Sequence, residues 1–214
     1  MDILSKIVEG HVVRDYTDDA ERHFMEYEGE RELRKLRSRY HEYGDSVIVW
    51  RLPQFVGGDE EVIDNMMARV KQHRALVLDL RGNPGGAVTT QLRLIGSFFD
   101  TSVVSSKWRT RDSTFTLKAD PVSKNPFRGM VVILIDGQSA SSSEMVARTL
   151  QLEGRAVIVG DRSAGAVQTA RTFAHAAGFT KFLPYAASIT IADVEMSDGS
   201  RLERAGVVPD ELVL

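Results

Sequence analysis

The sequence predicts an α/β fold with a layered core, on the basis of three observations. From residue 46 onward, short β-branched and aliphatic runs alternate with amphipathic helical windows. Two of the runs, 75–80 and 130–135, are almost entirely apolar, which is typical of strands buried on both faces. Each of these two runs leads into a turn rich in glycine or serine and then into a helical pattern.

The first half of this core starts with a predicted strand at 46–52 (SVIVWRL). A helix is predicted at 59–73, because apolar residues recur there at helical spacing. A buried strand at 75–80 then enters the tight turn 81–86 (RGNPGG), and a helix is expected over 87–99. The apolar residues of the first helix are Val62, Ile63, Met66, Met67 and Val70.

The second half contains a Thr/Ser-rich section at 103–118, which predicts a surface hairpin, and the buried strand 130–135. That strand exits through DGQSASSSE (136–144) into a helix that is expected to end near Leu152. A short strand at 156–160 and the loop DRSAGA at 161–166 follow.

The first 45 residues differ in composition from the rest of the chain. They contain no proline and include the charge-dense run EGERELRKLR at 28–37. Mixed charges at short spacing are typical of a solvated, salt-bridged face rather than of a binding patch. We therefore expect 1–45 to be a connector or the remnant of a preceding domain, and 46–214 to be the core domain.

Composition excludes several classes of function. The 27 Lys and Arg against 30 Asp and Glu give a formal charge of −3 with no long basic block, which disfavours nucleic acid as a partner. Cysteine is absent, so disulfides, thiolate metal sites and a cysteine nucleophile are excluded. The five histidines show no metal-binding spacing, and we expect neither a metal nor another cofactor. We also expect no transmembrane segment, and the first residues do not resemble a signal peptide.

The two turns are the candidate functional elements, since open α/β sheets place their sites at the carboxyl ends of strands. A serine beside a helix N-terminus has free N–H groups and a positive dipole end nearby, which favour a developing oxyanion. A glycine turn can add further backbone donors. Each motif also has a structural reading: Ser141 and Glu144 have the spacing of a capping box, and Gly85-Gly86 could be a plain turn.

Three separated segments together resemble the tail-specific, or carboxyl-terminal processing, serine peptidase family. They are VLDLRGNPGG (77–86), VVILIDGQSASSSEMVARTLQ (131–151) with VIVGDRSAGA (157–166), and GSRLERAGVVPD (199–210). The resemblance spans about residues 46–210 and implies that 46–214 is a peptidase-like catalytic core with a crotonase-like layered ββα architecture. It also implies cleavage of polypeptides near their C-termini, and a periplasmic or secreted location.

The resemblance assigns roles residue by residue. The family nucleophile is the serine three residues before the glutamate, which is Ser141 here. Its hydroxyl would attack the scissile carbonyl and form an acyl-enzyme. The family's oxyanion donors are backbone N–H groups that match Gly85 or Gly86 and Ser142.

The general base departs from the family pattern. The catalytic lysine of the dyad branch lies 25 residues after the serine, a position held here by Ala166. Ala166 is either natural or the product of a Lys→Ala change. The loop around it also lacks the phenylalanine, second glycine and glutamine of the dyad branch, which favours a natural loop. Such a loop resembles the lysine-less branch, that of the tricorn protease core and interphotoreceptor retinoid-binding protein.

In tricorn-like members a histidine from a preceding domain serves the serine, supported by a glutamate that matches Glu203. His41 is the best local candidate for that histidine, although its position favours a solvated or capping histidine over a base. His175, after the loop, is a weaker candidate.

Two other functions remain open. A non-catalytic module could use the same cleft to bind an apolar ligand or a peptide. An acyl-CoA enzyme of the related crotonase fold would use the same oxyanion hole for a thioester enolate, but the serine-rich turn disfavours it.

Overall fold

Ten strands and three helices are assigned within residues 38–177 and 183–213, which are the residues that the computed structural model describes. In chain order they are β1 (Arg39–Tyr43), β2 (Val47–Arg51), α1 (Glu60–Val70), β3 (Ala75–Asp79), α2 (Val88–Gly96), β4 (Val103–Arg109), β5 (Thr114–Ala119), β6 (Met130–Ile135), α3 (Ser142–Leu152), β7 (Val157–Gly160), β8 (Thr169–Ala177), β9 (Leu183–Met196) and β10 (Glu211–Leu212).

The chain divides into two compact units, one of residues 1–35 with 170–191 and the other of residues 36–169 with 192–214. Within the first unit, the described residues belong to β8 and β9. The second unit holds the remaining elements and all the features discussed below. No helix of the described residues is long and apolar enough to cross a membrane.

A six-stranded sheet organises the second unit, with the strand order β1-β2-β3-β6-β7-β10. Strands β2, β3, β6, β7 and β10 run parallel, and β1 is antiparallel to β2. One face of this sheet is fully buried, as Ile48, Leu76 and Ile133 show. The α/β prediction is confirmed, and the carboxyl ends of the parallel strands lie along a single edge of the sheet.

Helix α1 buries a stripe that differs by one residue from the predicted one. Ile63, Met66, Met67 and Val70 are buried, whereas Val62 is 40% exposed. Positions 63, 66, 67 and 70 follow the i, i+3, i+4, i+7 pattern of a helix packed on a sheet, and residue 62 falls outside that stripe. Four of the five apolar residues at helical spacing therefore lie in the buried stripe, and Val62 does not.

Strand β1 lies inside the segment 1–45 that we expected to be a connector. It pairs with β2 along its whole length, with Tyr40 opposite Trp50. Arg69 of α1 contacts β1 in two ways. Its guanidinium donates a hydrogen bond to Glu42 at 3.0 Å and lies 4.7 Å from the centre of the Tyr40 ring. The sheet thus begins at residue 39, upstream of the predicted boundary at 46.

The hairpin predicted at 103–118 is formed by β4 and β5, which pair antiparallel. The end of β9 adds to the other side of β4, with Ser106 opposite Met196 and Arg109 opposite Asp193.

Candidate active site

Three loops meet at the carboxyl edge of the parallel sheet. They follow β3 (residues 80–87), β6 (136–141) and β7 (161–168). Backbone hydrogen bonds join them directly: Ala140 N–H donates to Asn83 O at 2.9 Å, and Ala164 N–H donates to Ser139 O at 3.0 Å. The two turns that the sequence singled out are therefore in contact, and the third loop completes the group.

Asn83 shapes the glycine turn from inside. Its side chain is fully buried, its Nδ2 donates to Leu52 O at 2.8 Å, and its Oδ1 accepts the Gly85 N–H at 2.8 Å. Its carbonyl oxygen also accepts the Ser143 hydroxyl at 3.0 Å. Asn83 thereby locks the glycine turn against the start of α3, a role that sequence reasoning missed.

Gly85 and Gly86 have positive φ angles of 95° and 136°. A Cβ on Gly85 would lie 2.6 Å from the Ser141 Cβ, and one on Gly86 would overlap Phe55 O. Both the backbone conformation and the close approach to Ser141 therefore require glycine at this turn. A plain surface turn would need the positive φ angles but not the close approach to Ser141.

The two N–H groups of the glycine turn differ in their hydrogen bonding to the described residues. The Gly85 N–H is bonded to Asn83, whereas the Gly86 N–H and the Ser142 N–H have no acceptor among the described residues. The Ser142 hydroxyl donates to Gly86 O at 3.0 Å and so holds the two residues together. Gly86 and Ser142 are therefore the candidate oxyanion donors, and Gly85 serves the close approach.

Ser141 has a backbone conformation that a helix cap does not need. Its φ is 55° and its ψ is −118°, whereas ordinary N-cap residues lie in the β region. Of the two bonds of the capping box that the spacing predicts, the one from the Ser141 N–H to the Glu144 carboxylate measures 2.9 Å. Such a conformation costs on the order of 1–3 kcal/mol and is concentrated at functional sites, notably at the sharp strand-to-helix turn of serine hydrolases. Capping alone does not account for this geometry.

Glu144 does more than cap the helix. Its carboxylate is fully buried and also accepts the Ser163 hydroxyl at 2.6 Å, the Gly165 N–H at 2.7 Å and the Ala166 N–H at 2.9 Å. One carboxylate therefore fixes the loop after β7 to the start of α3. From sequence it was recognisable only as the capping residue of an S-x-x-E pattern.

Ala166 lies directly against the backbone of Ser141. The Ser141 N–H is shared between the Glu144 carboxylate and Ala166 O, the latter at 3.0 Å. The residue at the dyad lysine position is thus next to the candidate nucleophile. Glu203 also binds this loop, since its Oε2 accepts the Val167 N–H at 3.0 Å and the Gln168 N–H at 3.2 Å.

The structure does not bring His41 to Ser141. His41 is exposed on the edge strand β1, where its ring packs against Tyr43 at 4.5 Å. Three strand spacings separate β1 from β6, a lateral distance of about 14 Å at ~4.8 Å per strand. This placement contradicts the choice of His41 as a base acting on Ser141 in this conformation. The His175 side chain lies outside the described residues.

Asp79 and Arg81 form an ion pair where β3 leads into the glycine turn. Arg81 Nε bonds Asp79 Oδ1 at 2.8 Å, and Arg51 reaches the other oxygen at 3.2 Å. Burial opposes ionisation of Asp79, but the hydrogen bonds and charge of Arg81, with the charge of Arg51, lower its pKa below the ordinary value. Among the described residues, no group of three or more His, Asp or Glu side chains is placed to hold a metal ion.

Known proteins resemble this chain over most of its length. A "carboxyl-terminal-processing protease" of Picosynechococcus sp. is 27% identical over 176 residues, which are 79% of this chain and 40% of that protein. A "tail-specific protease" of Haemophilus influenzae is 29% identical over 135 residues, which are 60% of this chain and 19% of that protein. The chain thus spans less than half the length of these curated relatives.

Solved structures show the same fold. The photosystem II D1 C-terminal processing protease superposes with a TM-score of 0.65 at 20% identity, over 82% of this chain and 48% of that one. Residues 47–213 match peptidase family S41, which agrees with the resemblance carried by the three sequence segments. The chain therefore belongs to peptidase family S41.

Proposed function

We propose that this chain is the core of a serine peptidase in which Ser141 is the nucleophile. Its Oγ attacks the scissile carbonyl, the carbon becomes tetrahedral, and loss of the amine leaves an acyl-enzyme that water hydrolyses. The strained conformation of Ser141 at the start of α3, in contact with the glycine turn, is the observation that carries this proposal.

The oxyanion formed in that attack is stabilised by the Gly86 and Ser142 N–H groups. Both lack an acceptor among the described residues, and the Ser142 hydroxyl holds them together through Gly86 O. The amino end of α3 adds the positive end of its helix dipole. One such backbone donor contributes about 10²–10³-fold to the rate in other serine hydrolases.

Polypeptides are the proposed substrates, cleaved near their C-termini. The support is family membership together with the names of the similar proteins, which describe carboxyl-terminal processing and tail-specific cleavage. A periplasmic or secreted location follows from the same resemblance.

The general base is proposed to come from outside residues 38–169, as in the lysine-less branch of the family. Ala166 offers no titratable group, although its backbone bonds Ser141. A base contributes about 10²–10⁴-fold, so the core without one should turn over slowly. Glu203, bonded to the loop beyond Ala166, is the proposed support for a base entering there.

Substituting Ala166→Lys tests this arrangement. The new amine would emerge beside Ser141, and we expect hydrolysis of an unstructured peptide to rise at least tenfold over the unsubstituted chain. Ala166→Met is the matched control, because it adds similar bulk without an amine and should give no increase. In the double variant Ser141→Ala/Ala166→Lys, activity should fall to background.

Two results would contradict the proposal. Activity that survives in the double variant would exclude Ser141 as nucleophile. A folded Ala166→Lys variant no faster than Ala166→Met would show that position 166 does not face the Ser141 hydroxyl. Circular dichroism and urea unfolding establish that each variant is folded.

A further inference from the structure

A cavity lies at the opposite end of the sheet from Ser141. It has a volume of about 530 Å³ and opens at the amino ends of β6 and β7, which begin at Met130 and Val157. This volume is within the range of small-ligand sites. A six-residue strand separates it from the candidate active site, a distance of about 20 Å at ~3.3 Å per residue.

Arg155 brings to the wall of this cavity a guanidinium that forms no ion pair with a described carboxylate. Its Nη2 donates to Phe127 O at 2.6 Å and Gly129 O at 2.8 Å, and its guanidinium lies 5.5 Å from the Phe98 ring and 5.6 Å from the Phe127 ring. These contacts fix the group in place but supply no countercharge. No carboxylate pairs with Arg155 among the described residues, and its Nε and Nη1 have no acceptor there.

A second arginine lines the same cavity. Arg128 pairs with Asp100, and its charge together with burial lowers the pKa of Arg155, burial being the larger cause. Two guanidinium groups on one cavity wall favour an anion, which would also relieve their mutual repulsion.

The rest of the lining limits which anion fits. Met130 is 74% exposed and Val157 is 47% exposed, so the cavity offers aliphatic surface beside its charges. Asp210 also lines it, but both of its oxygens are occupied, by the Ile158 N–H at 2.7 Å and the Gln151 amide at 2.8 Å. This carboxylate opposes multiply charged anions more strongly than singly charged ones.

We infer that this cavity binds an aliphatic carboxylate, with the carboxylate on Arg155 and Arg128 and the apolar group against Met130 and Val157. The C-terminal residue of a polypeptide and a free short-chain carboxylate share this chemistry. The inference concerns a site apart from Ser141 and does not depend on the proposed peptidase activity.

Calorimetric titration of the full chain tests the site with four probes. N-acetyl-leucine carries both features, N-acetyl-leucinamide lacks the charge, hexanoate lacks the peptide group, and inorganic phosphate lacks the apolar group. We expect N-acetyl-leucine to bind at least about tenfold more tightly than its amide and than phosphate. Tighter binding of N-acetyl-leucine than of hexanoate assigns the site to polypeptide C-termini, and equal binding assigns it to aliphatic carboxylates in general.

Variants locate the binding. Arg128→Gln should weaken N-acetyl-leucine binding several-fold, since it removes one of the two guanidinium groups, which pairs with the exposed Asp100. Arg109→Gln, which removes an exposed arginine paired with Glu195 outside the cavity, should change nothing. Binding should persist in Ser141→Ala. Absence of binding, phosphate binding as tight as N-acetyl-leucine, or equal effects of the two arginine variants would overturn the inference.

Discussion

Replacing Gly85 with alanine should both destabilise the protein and slow the reaction of Ser141. Gly85 has a φ of 95°, and a Cβ there would lie 2.6 Å from the Ser141 Cβ, 2.7 Å from Ala140 O and 2.9 Å from Ser142 N. The left-handed backbone conformation costs an alanine about 1–2 kcal/mol. Forcing a methyl group into packed surroundings costs about 1–3 kcal/mol more.

The expected loss is therefore about 2–5 kcal/mol, a large part of the ~5–15 kcal/mol that stabilises a typical domain. Gly58→Ala is the matched control, because Gly58 has a similar φ of 87° but nothing within 4 Å of the added Cβ. Gly58→Ala should lose only the stability that the left-handed backbone conformation costs an alanine, about 1–2 kcal/mol. Urea unfolding of both variants measures the difference.

The same substitution should displace the Ser142 N–H and so reduce oxyanion stabilisation, by up to about 10²–10³-fold. The rate of labelling by a fluorophosphonate, which phosphonylates activated serine hydroxyls, reports this loss. If Gly85→Ala and Gly58→Ala lose equal stability and both are labelled at the rate of the unsubstituted chain, the close approach of the glycine turn to Ser141 is wrong.

Three further substitutions test the supports of the site. Glu144→Gln should lower the free energy of unfolding in urea by at least about 2 kcal/mol, because the amide turns an N–H donor toward backbone N–H groups that bind a carboxylate oxygen in the unsubstituted chain. An unchanged unfolding midpoint would contradict the role of Glu144. Asp79→Asn should cost about 1–3 kcal/mol at pH 7, less than a fully buried pair because Arg81 is half exposed. The pKa of Asp79 is lowered on folding, so the contribution of the carboxylate to the free energy of unfolding is complete above the unfolded pKa of about 3.9. That contribution is lost as the pH falls through the lower folded pKa. The difference in the free energy of unfolding between Asp79→Asn and the unsubstituted chain should therefore disappear in acid. Ser142→Ala removes the bond to Gly86 O, so we expect a loss of about 1 kcal/mol and slower fluorophosphonate labelling; labelling at full rate would show that this bond does not align the oxyanion donors.

Much of this architecture is encoded locally and could be predicted. Apolar runs bounded by turn residues identified the central strands, and the family segments pointed to Ser141 and the glycine turn as candidates. The position of each turn at the carboxyl end of a buried strand also followed from sequence, whereas the contact between the two turns is seen only in the structure.

Other features depend on distances between distant segments. The hydrogen bond from the Gly85 N–H to Asn83 Oδ1 is seen only in the folded turn. Because this bond occupies the Gly85 N–H, Gly86 is the candidate oxyanion donor of the glycine turn. The strain at Ser141 is a backbone angle that no residue pattern specifies. His41 was chosen for its place just before the first core strand, but the antiparallel pairing of β1 with β2 puts it on the far edge of the sheet.

The residue that carries the phosphonyl group after fluorophosphonate labelling decides whether Ser141 is the nucleophile. Tandem mass spectrometry of the digested, labelled chain locates it among the consecutive serines at 141–143. We expect a single adduct on Ser141, and none on the buried Ser142 or Ser143. An adduct on another serine, or labelling that persists in Ser141→Ala, would contradict the assignment of Ser141 as the nucleophile.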